Sequence, residues 1–285
     1  MEVFHTIDGF REARPELGKL ALVPTMGALH AGHLSLVKSA LLHADHVAVS
    51  IFVNPTQFGP REDFNRYPRP IEEDLAKCEE AGVTVIFNPA TEEMYPKESV
   101  DIAVDLPTLT DTLEGKHRPG HFKGVCQVVA KLFNITTPQS AFFGQKDFQQ
   151  FRVIQAMVEA LDWPIEIIGC PTMRDPDGLA LSSRNQYLSA DERERALSIS
   201  RALMLARNEA KAGVRQANRL IATMRATLLD VGNLGRVPVS IDYVAAVDPL
   251  TLKNVLTLEG PTVLAIACRV GNTRLIDNVI VQPES

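Results

Sequence analysis

The sequence predicts an α/β protein with a parallel sheet covered by helices on both faces, followed by a smaller α+β region. Short apolar runs alternate with helical patterns from Leu20 to about residue 170, and this alternation is typical of parallel sheets. Beyond about residue 188 the order changes, because two long helical patterns come first and three strand-like runs follow. These observations predict a larger first region and a smaller second one.

The first region contains predicted strands at residues 20–23, 47–53, 83–87, 141–143 and 165–168. Its predicted helices cover residues 33–43, 70–81, 122–133 and 148–161. The apolar faces of the first and last of these helices are, respectively, Leu34, Val37, Leu41 and Leu42, and Phe148, Phe151, Ile154, Met157, Val158 and Leu161. Ligands of such sheets bind beyond the carboxyl ends of the strands, so the loops after strands are the first candidates for a site.

The second region opens with Ser189-x-x-Glu192, which predicts a capping box at the start of a helix that runs to about Lys211 and ends at Gly213. A second helix is predicted at residues 216–229 and a loop at 232–238. Strands are predicted at 240–247, 263–270 and 275–281, the last two joined by the turn Gly271-Asn272.

Composition excludes several classes of protein. The chain has 285 residues, 45% of them hydrophobic and 22% charged, which is ordinary for a globular protein. A net charge of −6 offers no basic field for nucleic acid. Four cysteines without a C-x-x-C pair indicate reduced, mostly buried thiols. No apolar run approaches the ~18 residues of a membrane helix and no leader pattern opens the chain, so we expect no membrane partner and a cytoplasmic location.

The segment from Val23 to His33 turns an apolar strand into a helix through a loop with two glycines and two histidines. A helix N-terminus after such a loop favours a phosphate, although neither common phosphate-loop pattern is present. His30 and His33 could then stabilise charge on a phosphorus during in-line displacement. Taken alone, the H-x-G-H pattern leaves two alternatives open, a zinc pair and two solvated histidines.

Polar side chains follow the second predicted strand. Asn54 and Gln57 should lie at its carboxyl end and could hydrogen-bond a small polar substrate. The alternative is a turn in which both side chains cap the backbone.

Three further segments carry clustered polar residues. Residues 115–124 form a Gly/Pro-rich basic loop, whose alternative interpretation is a solvated charged loop. Residues 144–150 follow a strand and open a helix. Lys146 could bind phosphate, and Asp147 could accept hydrogen bonds from ribose hydroxyls or cap the helix. Gln150 lies on the same helix face as Asp147. Residues 174–185 hold a Pro-Asp-Gly turn and then Ser-Ser-Arg, which can donate to phosphate oxygens but is often only surface.

In combination and order, these blocks resemble the pantoate–β-alanine ligase family of the H-x-G-H nucleotidyltransferases. The match covers residues 20–190, includes Arg118 to Phe122 as R-P-G-H-F, and reproduces L-S-S-R-N at 181–185. The resemblance implies a Rossmann-like N-terminal domain at residues 1–187, which binds nucleotide and pantoate, and an α+β C-terminal lid domain at 188–285.

The resemblance also implies the site residues. ATP contacts are expected from Met26, Gly27, Ala28, Leu29, His30, Ala31, Gly32, His33, Gly144, Gln145, Lys146, Asp147, Met173, Leu181, Ser182, Ser183 and Arg184. Pantoate or β-alanine contacts are expected from Asn54, Gln57, Arg118 and Gln150, with His121 as a further candidate. His30, His33, Lys146 and Arg184 are the expected catalytic residues, and no protein metal ligand is expected.

The activity implied by the resemblance is ATP-dependent condensation of (R)-pantoate with β-alanine through pantoyl adenylate, with Mg²⁺ bridging phosphates and a homodimer as the assembly. Two alternatives stay open at this point. One is transfer of AMP or CMP to a phosphorylated acceptor, and the other is a nucleotide sensor without chemistry. Pyrophosphate exchange that depends on pantoate, and not on a phosphorylated acceptor, distinguishes the ligase from the first alternative. Formation of AMP when pantoate and β-alanine are both supplied distinguishes it from the second.

Overall fold

The computed structural model of the chain describes residues 1–60, 62–100, 102–230 and 237–283. Contacts divide the chain into two compact units. The first comprises Met1–Asp111, Arg118–Gln145 and Gln150–Pro171, and the second comprises Thr112–His117, Lys146–Gln149 and Thr172–Ser285. The division into domains at residues 187 and 188 stays a prediction.

The helices and strands in chain order are β1 (Glu2–Phe4), α1 (Ile7–Ala13), β2 (Leu20–Thr25), α2 (Ala31–Ala40), β3 (His46–Ile51), α3 (Ile71–Glu80), β4 (Val85–Phe87), α4 (Thr91–Met94), α5 (Pro107–Thr110), α6 (Leu113–His117), α7 (His121–Thr136), β5 (Ser140–Gly144), α8 (Phe148–Ala160), β6 (Glu166–Cys170), α9 (Ala190–Lys211), α10 (Ala217–Leu229), β7 (Val239–Val247), β8 (Thr262–Val270) and β9 (Thr273–Val281).

The first unit is built on a parallel sheet, which in the described part of the chain has six strands in the order β1-β4-β3-β2-β5-β6. Strand β2 pairs with β3 on one side and with β5 on the other. In chain order, β3 and β4 follow on one side of β2, whereas β5 and β6 lie on its other side. Ligand-binding crevices form at the point where the strand order reverses in this way. Thr25 is in register with Ile51, so the loops after β2 and β3 leave the sheet at the same level.

The core of the first unit lies between this sheet and its helices. Val23, Val49 and Ile86 of the central strands pack with Leu36 and Val37 of α2. Residues on β2 and β3 are buried almost without interruption, as expected for strands covered on both faces. The predicted α/β fold class is therefore confirmed.

The second unit packs α9 and α10 against an antiparallel sheet of order β7-β8-β9. The predicted capping box is confirmed, because Ser189 Oγ accepts the N–H of Glu192 at 3.2 Å and Glu192 Oε2 accepts the N–H of Ser189 at 2.8 Å. Helix α9 ends just before Gly213, whose φ of +97° stops the helix as predicted.

Several sequence-based expectations were wrong. Leu161 and Leu42 are 43% and 85% exposed rather than inward, because α8 ends at Ala160 and α2 ends at Ala40. Residues 113–117, expected partly in a loop, form α6. The elements β1 and α1 were not predicted, and the loop expected at 232–238 lies outside the described residues except for its last two.

The four cysteines, Cys78, Cys126, Cys170 and Cys268, are free and buried, which confirms that prediction. Burial raises the pKa of Cys78 and Cys126 to about 12, with further contributions from Asp74 and Asp105 respectively. Among the described helices, none is long and apolar enough to cross a membrane.

Candidate active site

The H-x-G-H loop connects Thr25, the last residue of β2, to α2. Gly27 and Ala28 both have positive φ angles, +79° and +50°. Such a backbone is accessible to glycine and strained for alanine. A side chain at Gly27 would also meet Asp74 Oδ2 at 3.0 Å. The loop is therefore tight, and other groups must hold it in this conformation.

His30 and His33 lie together at the start of α2. His30 is the N-cap residue, and its Nδ1 accepts the N–H of Gly32 at 3.1 Å. The Nδ1 atom of His33 accepts the N–H of His30 at 3.4 Å. The two rings stack, with centroids 4.1 Å apart and planes 26° apart. Because each Nδ1 accepts a hydrogen bond, a neutral ring carries its proton on Nε2 and can donate from there.

Asp74 of α3, which sequence reasoning missed, holds this loop. It is completely buried, and its two oxygens accept the N–H groups of Ala28 and Leu29, each at 2.7 Å. Lys77, one turn further on, donates to the carbonyl of Leu29 at 3.0 Å. Burial raises the pKa of Asp74, and the two backbone hydrogen bonds oppose that rise. The acidic residue lies 45 positions from the loop, so no local pattern could reveal the pairing.

Gln57 and Asn54 lie after β3 and beside the histidine loop. Gln57 is buried and its Nε2 lies 3.0 Å from Sδ of Met26, the residue before Gly27. Asn54 Nδ2 donates to Gln57 Oε1 at 3.1 Å and to the carbonyl of Gly124 at 3.0 Å. The structure thus brings the side chain of Gln57 into contact with Met26 of the histidine loop, and Asn54 contacts Gln57.

Asn54 is 1% exposed and is heavily bonded. Besides the two donations, its Oδ1 accepts from Thr56 Oγ1 at 3.0 Å and from the hydroxyl of Tyr95 at 2.9 Å. Its Oδ1 also accepts the N–H of Thr56 at 3.4 Å, so Asn54 caps the backbone of the turn as the alternative interpretation has it. Burial raises the pKa of Tyr95, so its hydroxyl stays protonated and able to donate.

Arg118 is engaged in an ion pair. Its Nε and Nη2 donate to the two carboxylate oxygens of Glu62 at 2.8 and 2.6 Å, and its Nη1 lies 3.0 Å from His121 Nε2. Since arginine can only donate, His121 Nε2 accepts, and His121 Nδ1 donates to the carbonyl of Gln57 at 2.8 Å. Burial alone would raise the pKa of Glu62, but the hydrogen bond and charge of Arg118 outweigh it and lower that pKa. Arg118 and His121 together support the Gln57 turn.

The segment after β5 belongs to both units. Gly144 pairs with Cys170 at the end of the sheet, and Gln145 follows it in the first unit. Lys146 and Asp147 belong to the second unit, where the Nζ of Lys146 lies 3.8 Å from Asp147 Oδ2. Gln150, in the first unit, is half-buried on α8.

The loop at residues 172–185 closes on itself in the second unit. The N–H of Leu181 donates to the carbonyl of Met173 at 2.9 Å, and Arg174 pairs with Ala180 as an isolated bridge. Ser182 caps the short 3₁₀ helix that follows, with Oγ accepting the N–H of Arg184 at 3.3 Å. Met173 is 42% exposed, so its side chain faces solvent rather than a core.

The histidine pair does not have the surroundings of a zinc site. Among residues 1–60, 62–100, 102–230 and 237–283, no three His, Cys, Asp or Glu side chains form a group that could hold a metal ion. His30 and His33 use their Nδ1 atoms on backbone N–H groups, whereas a zinc site needs further side-chain ligands.

Comparison with known proteins agrees with the motif resemblance. A family model described as Pantoate-beta-alanine ligase matches residues 2–280. Pantothenate synthetase of Thermobifida fusca is 50% identical over 283 residues, covering 97% of this chain and 94% of that protein. Pantothenate synthetase of Thermotoga petrophila is 48% identical over 285 residues, covering 98% and 99%.

Two solved structures are similar over nearly the whole chain. The pantothenate synthetase of Thermus thermophilus is 44% identical with a TM-score of 0.93, covering 99% of this chain and all of that one. The pantoate–β-alanine ligase of Francisella tularensis, solved with β-γ ATP and β-alanine, is 33% identical with a TM-score of 0.80 and full coverage of both chains. The chain therefore belongs to the pantoate–β-alanine ligase family.

Proposed function

We propose that this chain condenses (R)-pantoate with β-alanine at the expense of ATP, and that it does so through pantoyl adenylate with release of pyrophosphate and then AMP. Family membership supports the overall ligation. The observation that carries the two-step route is the stacked pair of imidazoles at the N-terminus of α2, where Nδ1 of each ring is occupied by a backbone N–H.

The proposed chemistry needs no covalent enzyme intermediate. A carboxylate oxygen of pantoate attacks the α-phosphorus of ATP, the bond from that phosphorus to the bridging oxygen breaks, and pyrophosphate leaves. The amine of β-alanine then attacks the acyl carbon of the adenylate. The acyl C–O bond breaks, AMP leaves, and the amine loses a proton as the amide forms.

The hydrogen bonds at Nδ1 of His30 and His33 support a role for both rings in the first step. With Nδ1 accepting, each neutral ring presents an Nε2–H donor, and such pre-placed donors stabilise charge that develops on phosphoryl oxygens. The positive end of the α2 dipole acts in the same direction. Backbone groups of residues 26–29, 31 and 32 surround the histidines along the chain and are proposed to contact ATP as well.

The other phosphate contacts are proposed for Lys146, Ser182, Ser183 and Arg184, which supply an ammonium, two hydroxyls and a guanidinium fork. Gly144, Gln145, Asp147, Met173 and Leu181 are proposed to contact the nucleotide elsewhere. Mg²⁺ is proposed to enter as Mg·ATP, since this ion usually keeps waters and substrate phosphates as its ligands.

For pantoate and β-alanine, Gln57 and Gln150 are proposed as direct contacts. Asn54 and Arg118 are proposed to act through Gln57, because the side chain of Asn54 bonds Gln57 Oε1 and Arg118 bonds His121, whose Nδ1 donates to the carbonyl of Gln57. A homodimer, a cytoplasmic location and a lid role for residues 188–285 are further proposals that rest on the family resemblance. Sedimentation equilibrium at several concentrations tests the dimer.

The test of the proposed function is product formation with each substrate omitted in turn. AMP should appear only when ATP, pantoate and β-alanine are all present, and exchange of labelled pyrophosphate into ATP should require pantoate but not β-alanine. Exchange that requires a phosphorylated acceptor instead would favour nucleotidyl transfer. ATP binding without AMP formation would favour a sensor.

A further inference from the structure

Two segments that are proposed to contact the ATP phosphates meet adjacent residues of β9. The side-chain Nδ2 of Asn278 donates to the backbone carbonyl of Lys146 at 2.8 Å. The carboxylate of Asp277 accepts two hydrogen bonds from Arg174, at 2.6 Å from Nη1 and 2.9 Å from Nη2. All four residues belong to the second unit. One strand therefore holds Lys146 and the base of the 172–185 loop.

Both β9 residues are themselves well fixed. Asp277 and Asn278 are 4% and 7% exposed, and their Cα positions pair with Ile266 and Ala265 of β8. The carboxylate Oδ1 of Asp277 also accepts the N–H of Asn278 at 2.7 Å. The ladder with β8 thus gives the two side chains a rigid base.

The ion pair also closes the loop. Arg174 Nη1 donates to the carbonyl of Gly178 at 3.1 Å, and the N–H of Asp175 donates to the carbonyl of Leu179 at 2.8 Å. Arg174 therefore ties both arms of the loop that leads to Ser182 to one buried carboxylate. Burial raises the pKa of Asp277, while Arg174, the N–H of Asn278 and the charge of Lys146 oppose that rise.

Stability alone does not explain this arrangement. A buried ion pair often stabilises a fold no better than well-packed apolar side chains of similar volume. A bidentate arginine–carboxylate pair instead supplies a defined orientation. The amide of Asn278 likewise bonds a backbone carbonyl at a junction where the 3₁₀ turn of residues 145–147 leads into α8.

We propose that Asp277 and Asn278 are positioning residues for the triphosphate of ATP. They fix the backbone of Lys146 and the base of the Ser182–Arg184 loop in one mutual arrangement, so that ammonium, hydroxyl and guanidinium donors are aligned before the nucleotide binds. This inference rests on the proposed function, because it takes those donors to be phosphate contacts.

The test compares Asp277→Asn and Asn278→Leu with a matched control, Asp242→Asn. The control also removes a partly buried carboxylate paired to an arginine in the same sheet, since Asp242 Oδ2 lies 2.7 Å from Nε of Arg274. Each variant is measured for its thermal midpoint and for kcat and KM with each substrate.

We expect Asp277→Asn and Asn278→Leu to raise the KM for ATP about tenfold, or to lower kcat by a similar factor, while the KM for pantoate changes by less than about twofold. The control should lower the thermal midpoint comparably and leave the KM for ATP within about twofold. If Asp277→Asn does not fold, Asn278→Leu and Arg174→Lys decide the question.

A lower thermal midpoint with an unchanged KM for ATP and unchanged kcat would overturn the inference, as would equal rises in the KM values of all three substrates. Lys146→Ala separates this failure from failure of the proposed function. If Lys146→Ala is inactive while both β9 variants remain active, only the positioning role is wrong. If Lys146→Ala is itself fully active, the phosphate assignment is wrong.

Discussion

His33 has two ring nitrogens with separable roles. Its Nδ1 accepts the N–H of His30 and so helps to cap α2, whereas its Nε2 is the proposed donor to the α-phosphate. An asparagine can reproduce an acceptor near the position of Nδ1 but has no group at the position of Nε2. The two roles can therefore be tested with two substitutions.

We expect His33→Asn to retain the thermal stability of the wild type while its barrier rises by about 2.7–4 kcal/mol, the range found for loss of one pre-placed donor. His33→Ala should lose both the rate and part of the cap, which is worth about 1 kcal/mol. Steady-state turnover and thermal unfolding measure the two effects. His43→Ala, which alters an exposed histidine just beyond α2, is the control, and a His33→Asn variant with normal turnover would contradict the assignment.

Glu62 provides a prediction about pH. The folded state binds the Glu62 proton less tightly than the unfolded chain, because Arg118 lowers the pKa of the folded carboxyl. The resulting stabilisation is complete above the unfolded value of about 4.3 and is lost as the pH falls through the folded value. Glu62→Gln should therefore lower the free energy of unfolding by about 1–2 kcal/mol at pH 7 and by progressively less in acid.

Urea unfolding at a series of pH values measures this difference. Glu79→Gln removes an exposed carboxylate of α3. Its free energy of unfolding should not approach the wild-type value as the pH falls, in contrast to that of Glu62→Gln. A constant difference between wild type and Glu62→Gln from pH 7 down to about pH 3 would show that the Arg118 pair does not depend on the charge of Glu62.

At the scale of elements, the loop between β2 and α2 depends on α3. Asp74→Asn keeps the shape of the side chain but replaces one acceptor of the loop N–H groups with a donor. An unsatisfied buried group costs about 1–3 kcal/mol, and the loop that carries His30 and His33 should shift. We expect a lower thermal midpoint and a kcat reduced about tenfold or more.

Glu73→Gln is the matched control for Asp74→Asn, because Glu73 is the neighbouring acid on α3 and its side chain is 72% exposed. The control should retain both stability and kcat. A destabilised Asp74→Asn variant with unchanged kcat would mean that Asp74 supports the fold without positioning the histidines.

Helix α7 and the Asn54–Gln57 turn are joined at Gly124. A Cβ there would lie 2.6 Å from the backbone N of Gln57 and closer still to the carbonyl of Thr56. Glycine to alanine inside a helix normally stabilises, but here we expect Gly124→Ala to destabilise by about 1–3 kcal/mol and to raise the KM for pantoate. Gly260→Ala, at a glycine with nothing within 4 Å of the added Cβ, should do neither, and a Gly124→Ala variant as stable as the wild type would contradict the close contact.

Local patterns in the sequence predicted local structure well. Ser189 and Glu192 are three residues apart, so their reciprocal cap could be inferred without knowing the fold. The strand β1 has only three residues and forms by pairing with β4. So short a segment has no hydrophobic periodicity from which this pairing could be predicted. Leu161 has the spacing of a core residue, yet the helix ends one residue before it.

The candidate site residues divide into those that a local pattern reveals and those that depend on distant contacts. His30, His33 and Gln57 follow strands and carry the family motif, so they could be located from sequence. Asp74 and Asp277 could not, because their partners Leu29 and Arg174 lie 45 and 103 positions away in the chain, respectively. Their importance depends on the packing of distant elements, which a single sequence does not show.

At the scale of the whole molecule, an acidic chain is proposed to bind a nucleoside triphosphate, ATP, and a carboxylate, pantoate. The net charge is −6, so long-range attraction does not favour such anions. Binding is accordingly proposed to depend on local donors, namely the N-terminus of α2 and the basic side chains of the 146 and 182–184 segments. We therefore expect ATP affinity to depend on these particular groups and not on the overall charge.

The central claim is that the pantoate carboxylate attacks the α-phosphorus before β-alanine reacts. It is tested most directly with pantoate that carries ¹⁸O in its carboxylate, followed by mass spectrometry of the nucleotide product. The account predicts one ¹⁸O in the phosphate of AMP, because the attacking oxygen stays on phosphorus when the acyl C–O bond breaks. Unlabelled AMP, or label found in inorganic phosphate instead, would contradict it.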